Sequence, residues 1–130
     1  MPLSHAQTKV LELALEDRRC VVDAELRHDA DRVRAESFGE LAGPVTDLGD
    51  EALADLIVDL DNAELTRDLG ELRALDAALD RFASGAYGRC ADCGEDIPFA
   101  RLQAEPAALR CVDCQRVHER THAGTRTPRL

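Results

Sequence analysis

The sequence predicts a mainly α fold: a long antiparallel two-helix coiled-coil hairpin followed by a small C-terminal module built on four cysteines. Three observations predict it. Aromatic content is only 3%, with no Trp, while 45% of residues are apolar and 32% are charged. That mixture suits long amphipathic helices packed in pairs better than a sandwich or barrel. Apolar residues recur at helical spacing over two long stretches separated by a Gly/Pro cluster. Four of the 5 cysteines fall into two C-x2-C pairs near the C-terminus. A length of 130 residues allows one domain, or one small domain with an elongated extension.

The first helix is expected from about Ala6 to Phe38. Leu11, Leu15, Val22, Leu26 and Val33 fall close to a 3.6-residue period with charges on the other faces, and the stripe is interrupted near Arg18 and Asp29. Cys20, alone in this helix, reads as a small buried apolar residue. Gly39, Gly43-Pro44 and Gly49 then break the pattern, because Pro cannot continue a helix, and place a tip loop at about residues 39–50.

A second helix is expected from near Asp47 to Asp50 through about Ser84. Its apolar positions are Leu53, Leu56, Ile57, Leu60, Leu65, Leu69, Leu72, Leu75, Leu79 and Phe82, with a weak stretch around Ala63 and Glu64. Gly70 inside it costs about 1 kcal/mol relative to Ala, and Gly85 supplies a stop. Two such helices joined by a short loop run antiparallel, bury their stripes against each other and reach about 50 Å. Residues 1–85 thus form the hairpin. Residues from Tyr87 to Gln115 are turn-rich, a short helix follows from Arg116 to Thr121 to complete a module over 86–122, and 123–130 is expected to be disordered.

The cysteines read C-x2-C, seventeen residues, C-x2-C, at Cys90, Cys93, Cys111 and Cys114. Tetrahedral zinc takes two thiolate pairs, each delivered by a tight turn, and Gly94 supplies a backbone able to adopt positive φ behind the first pair. A redox dithiol or two disulfides is the competing reading; two matched pairs in a reducing compartment favour Zn2+. Four thiolates leave no open position, so the zinc is structural and its binding energy is folding energy. His118 and His122, at i and i+4, read as a solvated helix face rather than a second site, and His5 and His28 carry no constellation.

The formal net charge of −10 opposes sequence-specific nucleic-acid binding, which needs cations to displace phosphate counterions. A basic or cation-bearing protein surface is the partner this charge suits. No signal peptide is visible at Met1-Pro2-Leu3-Ser4-His5 and no apolar run approaches a membrane span, so a cytoplasmic location is expected. No Ser/His/Asp set, phosphate loop or open metal site points to an enzyme.

The run Tyr87-Gly88-Arg89-Cys90-Ala91-Asp92-Cys93-Gly94-Glu95-Asp96-Ile97-Pro98, with Arg101-Leu102-Gln103-Ala104-Glu105-Pro106 and Cys111-Val112-Asp113-Cys114, resembles the signature of the DksA/TraR C4-type zinc-finger proteins. The resemblance implies a protein of bacterial cytoplasm, acting as a monomer, whose coiled coil enters the secondary channel of RNA polymerase. Its tip would approach the active-centre Mg2+ and alter promoter-complex stability. The tip motif D-x-x-D-x-A of that subgroup is matched by Asp47, Asp50 and Ala52. On chemistry alone, Asp47 and Asp50 also read as an N-cap and its N3 partner. The downstream acids Asp55, Asp59, Asp61 and Glu64 read as a solvated face.

Members that respond to guanosine tetraphosphate use basic residues near the zinc module and the adjoining coil. The corresponding positions here include Ala74, Glu105 and Gln115, none cationic, so a weak or absent response is expected. The alternative is a zinc-stabilised structural or DNA-binding protein of the same fold with diverged function.

Overall fold

A computed structural model describes residues 2–38 and 45–126, with the backbone alone for 122–126. Among the described residues the α-helices are, in order, α1 His5–Phe38, α2 Asp50–Leu60, α3 Ala63–Ser84, α4 Phe99–Ala104 and α5 Val112–Arg126, with a 3₁₀ turn at Val45–Asp47. Among the described residues there is no strand; a single bridge pairs Arg89 with Asp96. The chain divides into two compact units, Met1–Leu15 with Ala78–Leu130, and Glu16–Ala77. The boundary placed at residue 85 from the sequence lies inside the first of these. No helix among the described residues is long and apolar enough to cross a membrane.

The start of α1 is fixed by a reciprocal cap absent from the sequence reading. The Gln7 N–H donates to Ser4 Oγ at 3.1 Å and the Ser4 N–H donates to Gln7 Oε1 at 3.0 Å. This satisfies two donors that the first turn leaves without helical partners. The buried face of α1 carries Leu11, Leu15, Val22, Leu26 and Ala30, close to the expected stripe. Cys20 departs from expectation: it is exposed, because it falls on the side of α1 opposite that face.

In the unit Glu16–Ala77, the second limb is two helices where one was expected. Asp61 adopts φ 50, ψ 49 and its N–H donates back to the carbonyls of Ile57 and Val58, which closes α2. Asn62 Oδ1 then accepts from the Leu65 N–H at 3.0 Å and caps α3. A left-handed residue followed by a side-chain cap both ends one helix and starts the next. The weak stretch at Ala63 and Glu64 marks this place in the sequence.

Across that turn α2 lies beside α3. Asp50, Leu53 and Ala54 border one shallow depression with Leu69, Leu72 and Asp76. Arg18 and Arg19 of α1 meet Glu71 and Asp76 of α3, so three helices share one core. Val45, Leu53 and Ile57 are at most 1% exposed. Burying each contributes about 1.5–3 kcal/mol, enough to hold α2 against its neighbours.

The other unit gathers Leu11, Cys90, Ile97 and Leu102 into a small core, with Leu3, Phe82, Tyr87 and Phe99 packed against it. The Phe82 and Tyr87 rings stack with centroids 3.9 Å apart, and the Tyr87 hydroxyl donates to the Pro106 carbonyl at 2.7 Å. Burial pushes the Tyr87 phenol up to about 12. α4 was not resolved from the sequence, where its short length hid it among turns. α5 starts at Val112 and continues to Arg126, past the expected end at Thr121 and into the stretch expected to be disordered. The expected loop residues 39–44, residues 127–130 and the His122 side chain lie outside what is described.

Candidate metal centre and acidic surface

The four cysteines come together from two knuckles. In the first, the Gly94 N–H donates to the Cys90 carbonyl at 3.1 Å and the Cys90 N–H to the Glu95 carbonyl at 2.8 Å. Gly94 has φ +78, the left-handed conformation expected of it. In the second, Cys111 directly precedes α5, and the Gln115 N–H donates to its carbonyl at 2.9 Å. The Ala91 N–H reaches the Leu109 carbonyl at 2.8 Å, joining the two knuckles through the backbone. Arg110 adds a second tie, donating to Asp92 Oδ2 at 2.8 Å while its own carbonyl accepts from Arg101 Nε at 2.8 Å.

All four Sγ atoms lie within 4.8 Å of one another, and Cys93 Sγ is 3.9 Å from Cys111 Sγ. A tetrahedron with Zn–S bonds of 2.3 Å has S–S edges of about 3.8 Å. The donor set therefore fits one structural zinc ion. Cys90 is buried, Cys93 is exposed, and Cys111 and Cys114 are half-buried.

Cys90, Cys93 and Cys114 each have their thiol shifted by neighbouring groups of the cluster. Burial pushes Cys90 up, but the backbone N–H groups of Cys93, Cys111 and Asp92 pull harder and bring it down to about 6. Hydrogen bonds to the Cys111 and Cys90 sulfurs, with burial, hold Cys114 above the ordinary thiol range. The Glu95 N–H draws Cys93 down, yet burial and its bonds to Cys90 and Cys111 outweigh this and raise it. Four thiolates this close repel one another unless a cation sits among them, so the cluster suits a divalent metal.

The acidic motif is arranged differently from its sequence reading. Asp47 closes the 3₁₀ turn and is exposed. The N-cap of α2 is Gly49, with no side-chain cap hydrogen bond, and Asp50 is the first helical residue. The capping assignment of Asp47 and Asp50 is thereby corrected: the chain enters α2 two residues later than that reading assumed. Ala52 is exposed in the first turn.

The Asp50 side chain, 68% exposed, is gripped by two arginines of α1. Arg27 Nη2 donates to Oδ1 at 3.1 Å, and Arg19 Nη2 lies 3.6 Å from Oδ2. Arg27 stands eleven residues before Phe38, about 16 Å along the helix. Asp50 therefore lies against the side of α1, well short of its C-terminal end. Sequence reasoning missed Arg19 and Arg27. Their only trace was their place on the margin of the apolar stripe, and their partners depend on α2 folding back.

The fold and the four-sulfur cluster define a helical protein carrying a C4-type zinc finger. Residues 85–120 match the family described as prokaryotic dksA/traR C4-type zinc finger. The RNA polymerase-binding transcription factor DksA of Caulobacter vibrioides is 38% identical over 74 residues, 57% of this chain and 52% of that protein. The chain thus spans about half the length of that relative. An uncharacterized protein of Aquifex aeolicus is 30% identical over 92% of this chain and 80% of its own length. The structure of transcription factor DksA2 from Pseudomonas aeruginosa superposes with a TM-score of 0.68 at 25% identity, covering 92% of this chain and 88% of that one. The chain belongs to the DksA/TraR C4-type zinc-finger family.

Proposed function

We propose that this protein is a non-enzymatic regulator of transcription initiation that binds bacterial RNA polymerase in the cytoplasm. Cys90, Cys93, Cys111 and Cys114 ligate one structural zinc, and Asp47, Asp50 and Ala52 form the surface that enters the secondary channel and alters promoter-complex stability. The protein works as a monomer, without direct sequence-specific nucleic-acid contact and with little or no response to guanosine tetraphosphate.

The observation that carries the reading is the full D-x-x-D-x-A match on an exposed surface of a chain whose relatives include a protein named for RNA polymerase binding. The exposed carboxylates of Asp47 and Asp50 suit a site with Mg2+ and basic side chains. The zinc contributes folding energy and no chemistry of its own.

Co-purification with RNA polymerase core enzyme, followed by transcription from a ribosomal-RNA promoter, tests this. Asp50→Asn removes only a charge, so the variant should bind the polymerase and lose the regulatory effect. Regulation by Asp50→Asn equal to that of the parent would contradict the assignment of this surface.

A further inference from the structure

We propose that Arg27 is the positioning residue for the acidic motif, fixing the Val45–Asp50 segment against α1 and so setting where the Asp50 carboxylate is presented. The proposal rests on the functional reading of Asp50 given above.

Every arm of the guanidinium is used. Nε donates to both oxygens of Asp23, one helical turn earlier, at 3.2 and 3.1 Å. Nη1 donates to the Val45 carbonyl at 3.3 Å and the Leu48 carbonyl at 2.5 Å. Nη2 donates to Asp50 at 3.1 Å. The side chain is only 12% exposed, while that of Asp50 is 68% exposed. The anchor is therefore sheltered and the presented group is open.

The segment needs such an anchor. Gly49 offers α2 no side-chain cap, and one backbone hydrogen bond, Leu48 N–H to the Val45 carbonyl at 3.1 Å, closes the 3₁₀ turn. Arg27 grips the carbonyls at both ends of that turn and the first side chain after it. Asp23 orients the fork from below. Arg19 reaches the other Asp50 oxygen but also bonds Asp76 of α3, and it touches no backbone of the segment. A lysine could not replace Arg27, because one ammonium cannot hold two carbonyls and two carboxylates at fork geometry.

The test compares Asp50→Asn, Arg27→Lys, Arg27→Gln and the Asp50→Asn/Arg27→Lys double variant as zinc-loaded full chains, each checked for helical circular dichroism. The readouts are the maximal transcriptional effect at saturating protein and the concentration that gives half of it. A folding defect raises the half-effect concentration and spares the maximum; a positioning defect does the reverse. Arg27→Lys and Arg27→Gln should lower the maximum about fivefold with little change in half-effect concentration. The double variant should be no worse than Asp50→Asn, because residues acting through one another are not additive.

A silent Asp50→Asn defeats the underlying reading and this proposal with it. If Asp50→Asn loses the effect as expected, the proposal alone is overturned when Arg27→Lys or Arg27→Gln keeps the full maximum. Unfolding of both Arg27 variants would make Arg27 a folding residue and overturn it too.

Discussion

The two units of this chain solve the same shortage in different ways. Neither has the aromatic residues for a thick core. The unit Glu16–Ala77 compensates with helix packing, burying Val22, Leu26, Ala30, Val45, Leu53, Ile57, Leu65, Leu69, Leu72 and Leu75 among three helices. The unit holding the cysteines has, among its described residues, a handful of fully buried side chains, a stacked ring pair, and four converging sulfurs. Ten buried apolar side chains suffice without help; the small cluster around Ile97 and Leu102 does not. Structural zinc contributes about 10–16 kcal/mol in zinc-finger peptides, at least as much as burying the four side chains of this cluster at about 1.5–3 kcal/mol each.

The comparison breaks most sharply at a cysteine. Cys111→Ser should abolish tight zinc binding and unfold residues 85–115, because the remaining three sulfurs leave the tetrahedron open and the second knuckle unheld. Zinc content by absorption spectroscopy and the fluorescence of Tyr87 check it. A Cys111→Ser protein with full zinc content and unchanged Tyr87 emission would show that the knuckles fold without the fourth sulfur.

Leu26→Ala probes the other unit. Leu26 is 0% exposed, so its truncation should cost about 2–5 kcal/mol through lost burial and a residual cavity. Urea unfolding followed by circular dichroism should show that loss while zinc content stays stoichiometric. Loss of zinc from Leu26→Ala would contradict the separation of the two stabilising mechanisms.

The smallest effect is expected at the α2–α3 turn. Asn62→Ala removes the Leu65 cap and should destabilise by about 1 kcal/mol. Asp61→Gly should have the opposite sign, because φ 50 is costly for a residue with a Cβ. If both variants unfolded at the parent's urea midpoint, the turn would not be a point of helix interruption.

What the sequence could reveal follows the same division. The four-sulfur cluster was legible because two C-x2-C pairs and Gly94 are local: each knuckle needs only its own few residues. The buried stripe of α1 was legible because period 3.6 is a property of one helix. The split of the second limb was not, since Leu60 and Leu65 each fit a helix and only the left-handed Asp61 with the Asn62 cap separates them. Cys20 was misassigned because a single small side chain carries no periodicity to place it. Arg27 could not be found at all, because its acceptors on Val45, Leu48 and Asp50 become neighbours only after α2 has folded back.

The most direct measurement is a titration of the intact, isotope-labelled protein with a strong chelator, followed residue by residue through its amide spectrum. Zinc as the sole strong clamp of the cysteine unit predicts that Cys90, Ile97 and Leu102 lose dispersion while Leu26, Leu53 and Leu72 keep native positions. Native signals at Ile97 and Leu102 after complete metal removal would contradict the account.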